Sequence, residues 1–369
     1  MAARSRVVVA MSGGVDSSVA AALLVEAGHD VVGVFMRQGR PEAAGLPILA
    51  TGAEKPGHQG CCSVADAADA RRVADRLGIP LYALDLTADF GRIIDYFAAE
   101  YGRGRTPNPC VRCNSWLKFG RLFDHADAVG ATHVATGHYA VLEPDGERPP
   151  RLRRGLEAAR DQSYVLFDVR PDRLRRMLLP VGGMPKAAVR SRAAALGLAT
   201  ADKPDSQEIC FVPPGAHAAL VANRLGGTRA GAIVDATGRV LGRHPGIEHF
   251  TVGQRQGLGI AAGVPLFVTR IEADTCRVVV GPREAVPETE LTAAEVTWLA
   301  DPPTATLSCL VQCRAQRGAA PAVVTPLPGG RLHARFTGGP DASPGPISPG
   351  QPAVCYAGDR VLGGGWIEG

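Results

Sequence analysis

The stretch Val7-Val8-Val9-Ala10-Met11-Ser12-Gly13-Gly14-Val15-Asp16-Ser17-Ser18 limits what this chain can fold into more than any other part of it. Val7 to Val9 are a β-branched run suited to a strand buried on both faces of a parallel sheet. Gly13 and Gly14 permit a tight turn and a close approach of backbone to a ligand. Val19, Ala20, Leu23, Leu24 and Ala27 then recur at helical spacing, which predicts Ser17 or Ser18 near a helix start and Gly28 at its stop. A helix N-terminus led by glycines offers N–H groups and positive dipole to an anion, so the stretch predicts a phosphate cradle.

The pattern is neither G-x-x-x-x-G-K-[ST] nor G-x-G-x-x-G, because no lysine and no third glycine stand at the required offsets. Instead S-G-G-x-D-S resembles the PP-loop of ATP pyrophosphatases, which cleave ATP between the α and β phosphates and adenylate their substrate. That resemblance implies that Ser12, Ser17 and the loop amides hold pyrophosphate and that Asp16 helps place magnesium. The plainer alternative is an ordinary Gly-Gly turn between strand and helix.

Val31 to Met36 reads as a second buried strand, completing a βαβ unit whose carboxyl edge is the place for a ligand. Residues 38–59, with Pro41, Pro47 and Pro56, read as a surface loop. A helix from about Ser63 to Leu77, closed by Gly78 and Pro80, precedes a third strand at Leu81 to Leu86. This alternation predicts a doubly wound α/β domain. Gly102 to Asn114 holds two prolines, two glycines and three arginines, and reads as a rigid basic loop outside regular structure. Its Cys110 and Cys113 lack a second C-x-x-C pair at zinc-ribbon spacing, while flanking arginines favour a thiolate. Thr132 to Tyr139 reads as a strand ending at Gly137 and His138.

Between Arg148 and Arg192 twelve Lys and Arg face four Asp and Glu, which is either the footprint of a phosphate backbone or a solvated helical face. Helices bounded by Pro171, Pro180 and Pro185 are predicted there. From Pro213 onward the texture is short strands with Gly, Pro and Asp turns and no helical periodicity. Strands are predicted at Leu307 to Gln312, Arg331 to Phe336, Ala353 to Tyr356 and Arg360 to Leu362. The expected fold is therefore α/β: a doubly wound parallel-sheet domain with a helical part (1–206), a small mainly-β central domain (207–282) and a C-terminal β-barrel (283–369).

The 369 residues carry a net charge of +4, too small by itself to argue nucleic-acid binding. No apolar run approaches a membrane span, and Met1 to Arg6 lead directly into the first strand, so a cytoplasmic protein without membrane contact is expected. Nine scattered cysteines argue for thiol chemistry or buried single thiols over a disulfide scaffold.

Several further motifs stand in one order along the chain. They are T-P-N-P-x-x-x-C-N at Thr106 to Asn114, T-G-H-Y at Thr136 to Tyr139, D-Q-S-Y at Asp161 to Tyr164 and I-C-F at Ile209 to Phe211. G-Q-R-x-G-L-G-I at Gly253 to Ile260, P-G-Q-x-A-V at Pro349 to Val354 and L-G-G-G at Leu362 to Gly365 complete them. With the PP-loop, they make the chain closely resemble the bacterial tRNA-specific 2-thiouridylases over essentially its whole length. The resemblance implies ATP-dependent 2-thiolation of the wobble uridine of tRNA, with a sulfur-relay or cysteine desulfurase protein as persulfide donor. It implies that Ala10, Met11, Ser12, Gly13, Gly14, Val15, Asp16 and Ser17, with Met36 and Gly137, contact ATP. Cys113 matches the nucleophile and Cys210 the persulfide carrier. His138, Arg160, Asp161, Gln162, Gln351 and the pair Arg314-Ala315 match tRNA-contact positions, although Ala315 replaces the usual tyrosine.

Cys110 departs from the family, many of whose members have an acid/base aspartate there. Either that help is dispensable or comes from elsewhere, or Cys110, Cys113 and Cys210 ligate a [4Fe-4S] cluster with one open iron. Two readings from other classes are a PP-loop synthetase or amidotransferase-type ligase adenylating a small molecule, and a tRNA-binding protein without catalysis. Neither the small-molecule ligase nor the binding protein needs the paired cysteines.

Overall fold

The computed structural model describes residues 4–37, 63–205, 209–212, 215–339 and 342–368. The valine run forms β1 (Arg6–Ala10), α1 (Val15–Glu26) follows the glycines, and β2 (Asp30–Arg37) lies parallel to β1 with Val8 opposite Val32. Val7, Val8 and Val9 are fully buried, which contributes roughly 1.5–3 kcal/mol each. α2 (Val64–Leu77) opens on a capping box: the Ser63 hydroxyl accepts from the Asp66 N–H at 3.1 Å, and the Asp66 carboxylate accepts from the Ser63 N–H at 3.0 Å. It ends at the left-handed Gly78, before β3 (Leu81–Asp85). The loop expected at 38–59 lies outside the described residues, as do Cys61 and Cys62.

After α3 (Thr87–Gly102), the basic segment is irregular only as far as Asn108. Pro109 then starts α4 (Pro109–Arg112), a position where its missing N–H costs nothing, and the chain runs on through a π-helix at Cys113–Arg121 into α5 (Leu122–Ala128). The prolines thus mark a helix start as well as a loop. β4 (His133–Ala135) ends sooner than predicted, which leaves His138 beyond the strand.

The basic region is not mainly helical. β5 (Ala140–Asp145) and β6 (Arg148–Arg154) form a hairpin in which Leu152 is buried between outward-facing Arg151 and Arg153, a period of two that the arginines conceal in the sequence. Short 3-10 turns follow, then β7 (Met177–Leu178) and α6 (Lys186–Ala195). The first sheet is wholly parallel, in the order β3-β2-β1-β4-β7. Alternate residues of β1 and β2 pack on its two faces: Val7, Val9 and Phe35 with α1 and α2, and Val8 and Val34 with Phe119, Leu122 and Phe123.

A helix that the sequence reading lacked, α7 (His217–Leu225), packs on α3. A four-stranded sheet follows: β8 (Gly231–Val234), β9 (Val240–His244), β10 (Phe267–Glu272) and β11 (Arg277–Gly281), in the order β10-β11-β8-β9. The last strands are β12 (Glu290–Trp298), β13 (Leu307–Gln312), β14 (Ala320–Leu327), β15 (Arg331–Phe336), β16 (Pro352–Ala357) and β17 (Arg360–Ile367). In the order β12-β15-β14-β13-β16-β17 they form a ring that the β12–β17 pairing closes into a six-stranded antiparallel barrel. β17 also pairs with β6, so the hairpin from the first half of the chain extends the barrel sheet. One core accordingly holds Leu152, Tyr164 and Phe167 together with Val354, Tyr356 and Trp366. No helix among the described residues is long and apolar enough to cross a membrane.

Candidate active site

Gly14 is the N-cap of α1 and supplies no side-chain acceptor for the amides of the first turn. Ser17 and Ser18 sit inside that turn; their hydroxyls donate to the Gly14 carbonyl at 3.1 and 2.8 Å. The Ser12 N–H donates to Ser17 Oγ, and the two hydroxyls are 3.2 Å apart. The loop is therefore closed on itself by serines. At Gly13 the backbone is left-handed (φ +72°), and a Cβ would stand 2.2 Å from the Asp66 carbonyl oxygen. A Cβ on Gly137 would stand 2.6 Å from the Asp16 carbonyl carbon and the Ser17 nitrogen. Both glycines are thus required by close packing of backbone on the loop.

Asp16 is held from outside the loop. Lys186, the buried first residue of α6, donates to both its carboxylate oxygens at 2.7 and 2.8 Å, and the Tyr139 hydroxyl donates to Oδ1 at 2.6 Å. Burial first, then the hydrogen bond to Asp16 and that carboxylate's charge, push the Tyr139 phenol far above its ordinary range, so it stays a donor. Lys186 also meets Asp205 at 2.8 Å, and Asp205 takes Arg160 at 2.8 Å and Arg190 at 2.9 Å. Behind the glycines, Lys203 Nζ donates to the Gly13 carbonyl at 2.9 Å and to Asp66 and Asp69, each at 2.6 Å. The sequence reading missed Lys186, Asp205 and Lys203 as parts of the site, because their partners lie far away in the chain.

Cys113 and Cys210 are both half-buried and pack against one apolar cluster built from Leu86, Phe90, Phe97 and Leu117. Met36, at the end of β2, packs against this cluster and against the core under the parallel sheet, which joins the cysteine region to the sheet that carries the loop. Cys110 is exposed. Among the described residues no three His, Cys, Asp or Glu side chains converge so as to hold a metal ion, and the three cysteines proposed for a cluster are no exception.

A relative from Rhodopirellula baltica, a tRNA-specific 2-thiouridylase MnmA, is 48% identical over 98% of this chain and 96% of its own. The chain belongs to the tRNA-specific 2-thiouridylase family. The 2-thiouridylase MnmA of Geobacter metallireducens is 46% identical over 99% of this chain and 97% of its own. Family profiles described as a tRNA methyl transferase HUP domain, a tRNA methyl transferase PRC-barrel domain and an aminomethyltransferase beta-barrel domain match residues 5–214, 219–282 and 288–367. A solved 4-thiouridine synthetase–RNA complex with bound ATP overlaps 56% of this chain and 45% of its own at 17% identity. Its TM-score of 0.33 is too loose to argue from.

The positions matched to tRNA contacts in 2-thiouridylases are largely engaged within the protein. His138 is buried, with Nδ1 at 2.7 Å from Thr136 Oγ1 and Nε2 at 3.4 Å from Lys118 Nζ. Burial first, and the Lys118 charge second, hold its imidazole well below the ordinary range, so it is neutral. Asp161 accepts from Arg154 at 2.7 Å, from the Gly155 and Ser163 N–H groups at 2.9 and 3.0 Å and from the Ser163 hydroxyl at 2.9 Å. Arg160 and Gln162 are exposed, although Gln162 Oε1 accepts from the Tyr139 N–H. The Arg314 guanidinium donates to the Pro346 and Val252 carbonyls and to Ser348, beside an exposed Ala315. Gln351 donates to the Thr106 carbonyl at 2.9 Å. Most arginines of the basic region pair likewise with carboxylates, among them Arg151 with Asp145, Arg153 with Asp359 and Arg192 with Glu26. The excess charge read from the sequence is therefore largely neutralised in the fold.

Proposed function

We propose that this chain performs the ATP-dependent 2-thiolation of the wobble uridine of tRNA, its PP-loop and its two cysteines acting on one base. The observation that carries the reading is the near-full-length match to 2-thiouridylases, joined to a loop on which backbone packing requires a glycine at Gly13 and at the neighbouring Gly137. Ala10 to Ser17, Met36 and Gly137 are proposed to bind ATP, with phosphate on the first-turn amides of α1. Asp16, the carboxylate of the loop, fits a hard cation. Magnesium there would neutralise phosphate charge alongside Lys186.

The C2 oxygen of uracil is a poor leaving group. Its attack on the α-phosphate forms an O–P bond and expels pyrophosphate, which turns that oxygen into part of an AMP leaving group. A persulfide on Cys210, loaded by a sulfur-relay or cysteine desulfurase partner, supplies sulfur. The Cys113 thiolate attacks the inner sulfur, forms the Cys113–Cys210 disulfide and expels hydrosulfide, which adds to C2 as AMP departs. An external dithiol reduces the disulfide. The unpaired wobble base enters the site at modest unstacking cost. His138, Arg160, Asp161, Gln162, Arg314, Ala315 and Gln351 are proposed to line or brace the tRNA surface. No step here runs through an iron–sulfur cluster. Three parts, 1–206, 207–282 and 283–369, remain our working division of the chain, and the cytoplasm, where tRNA and ATP meet, its proposed location.

The test is nucleoside mass spectrometry on unmodified tRNA incubated with protein, ATP, magnesium and a persulfide donor. The expected result is 2-thiouridine that disappears with Cys113→Ser or Cys210→Ser. ATP cleavage with a small acceptor and no thiouridine would replace this reading with a synthetase.

A further inference from the structure

Among the described residues only two that are not glycine have a left-handed backbone, Cys276 (φ 52°) and Glu295 (φ 51°). Cys276 sits in the tight turn between β10 and β11, where such geometry is ordinary. Glu295 lies inside β12, at the point where its pairing with β17 shifts register between Ala294 and Thr297. A bulge of this kind turns a side chain to a new direction. Here the re-aimed carboxylate accepts from Arg112 at 2.7 Å.

Stability is a weak reason for this arrangement. The Glu295 side chain is 66% exposed, so its ion pair is largely screened by water, whereas a left-handed backbone is disfavoured for any residue with a Cβ. Arg112, by contrast, is buried, and it immediately precedes Cys113. Its guanidinium lies 4.1 Å from the Trp366 ring centre, at the end of β17, and 5.2 and 5.3 Å from those of Trp116 and Tyr96. Asp168 takes a second Arg112 N–H at 3.3 Å, the Ser115 hydroxyl at 3.0 Å and the Thr297 hydroxyl at 3.3 Å, tying both sides of Cys113 to β12. Upstream, the Thr106 N–H donates to the Pro349 carbonyl at 2.7 Å, and Arg105 donates to the Ile367 carbonyl at 3.1 Å.

We infer that the C-terminal barrel is the element that positions Cys113, and that Glu295, acting through Arg112, is a positioning residue for that thiol. This deepens the proposed function and rests on Cys113 being its nucleophile. The bulge holds Glu295 where it meets the outer edge of the guanidinium, Trp366 covers the flat face, and the residue bearing the thiol has little room to shift. An ångström of slack at a nucleophile is enough to lower a rate severely.

The test compares Glu295→Gly, Glu295→Gln and Arg112→Met with the parent chain by peptide-resolved iodoacetamide labelling, thermal melting and steady-state thiolation. Glu295→Gly relieves the backbone while removing the carboxylate. It is expected to melt at the parental temperature or above it, to label Cys113 several-fold faster, and to lose about tenfold in kcat with the KM for ATP unchanged. Arg112→Met is expected to label Cys113 faster as well when the chains are compared at high pH, where the thiol is ionised in each and loss of the neighbouring cation no longer matters. Glu295→Gln, which keeps an oxygen for the Arg112 N–H, is expected to label at the parental rate. Parental Cys113 labelling in Glu295→Gly overturns the inference, whatever Arg112→Met does. So does faster labelling that is matched at the buried Cys355 and accompanied by a lower melting temperature, which marks general loosening. Labelling needs neither ATP nor tRNA, so a parent chain that makes no thiouridine sinks the functional reading, while the labelling still reports whether Glu295 and Arg112 hold the thiol, and the two failures are told apart.

Discussion

The ammonium of Lys186 lies 2.7 and 2.8 Å from the two carboxylate oxygens of Asp16, across 170 residues of chain. With Asp205 at 2.8 Å it is a buried cation between two carboxylates, its side chain only 9% exposed. Removing it leaves those charges facing each other. Lys186→Met is expected to lower unfolding free energy by about 3 kcal/mol and to weaken ATP binding, with Lys186→Arg intermediate. Urea denaturation and titration calorimetry measure the two effects; parental ATP affinity in Lys186→Met would remove the lysine from the site.

Gly137→Ala places a methyl group against the backbone of Asp16 and Ser17, which cannot rotate away as a side chain can. Nucleotide binding is expected to be lost or reduced by at least about tenfold, since the loop must shift to make room. Gly183→Ala adds a methyl where nothing lies within 4 Å and serves as the control. Equal ATP affinity in the two variants would contradict the close-packing argument.

Folding stability is expected to fall as pH drops below about 6.5, where an unfolded histidine takes up a proton that buried His138 refuses. The folded state then binds fewer protons than the unfolded one, so the advantage present above that pH is lost as pH falls through the depressed range of His138. Burial lowers His133, His217 and His244 in the same direction. Melting curves between pH 7.5 and about 5 should show the decline, and His138→Asn should flatten part of it. A His138→Asn slope identical to the parent's would assign the effect to the other three.

Asp161 is expected to matter first for stability. Its side chain, 5% exposed, gathers the Arg154 guanidinium and two backbone N–H groups into the turn before Ser163. Asp161→Ala should cost roughly 3 kcal/mol in urea denaturation, because it leaves a cation and two amides without their acceptor. A variant with parental stability and weakened tRNA binding would give the carboxylate to the RNA instead.

Local signals were legible in the sequence, and long-range ones were not. Val7 to Val9, the Gly13-Gly14 turn and the Ser63-to-Gly78 helix each carry their cause within a few residues, and each is found where it was expected. The Arg148–Arg154 strand was hidden because its single buried residue, Leu152, stands among arginines whose carboxylate partners lie as far away as Asp359. α7 is short, and its apolar face is defined by packing on α3, so nine residues held too little periodicity to announce it. Lys186 and Asp205 have no motif at all; only the fold brings them to Asp16. Arg112 was visible as a charge flanking a cysteine, but its role depends on Trp366 and on a bulge in a distant strand.

The hairpin of β5 and β6 has a consequence for the order in which the protein is made. Its partner β17 is the last strand among the described residues, and the core around Leu152 and Phe167 needs Tyr356 and Trp366. During synthesis the parallel sheet can assemble early, but one flank of the hairpin must wait, exposed, until the distant β17 has been made. That interval is when an unpaired edge is most open to wrong partners, and the charged flank of Arg148, Arg151 and Arg153 is suited to keeping it single.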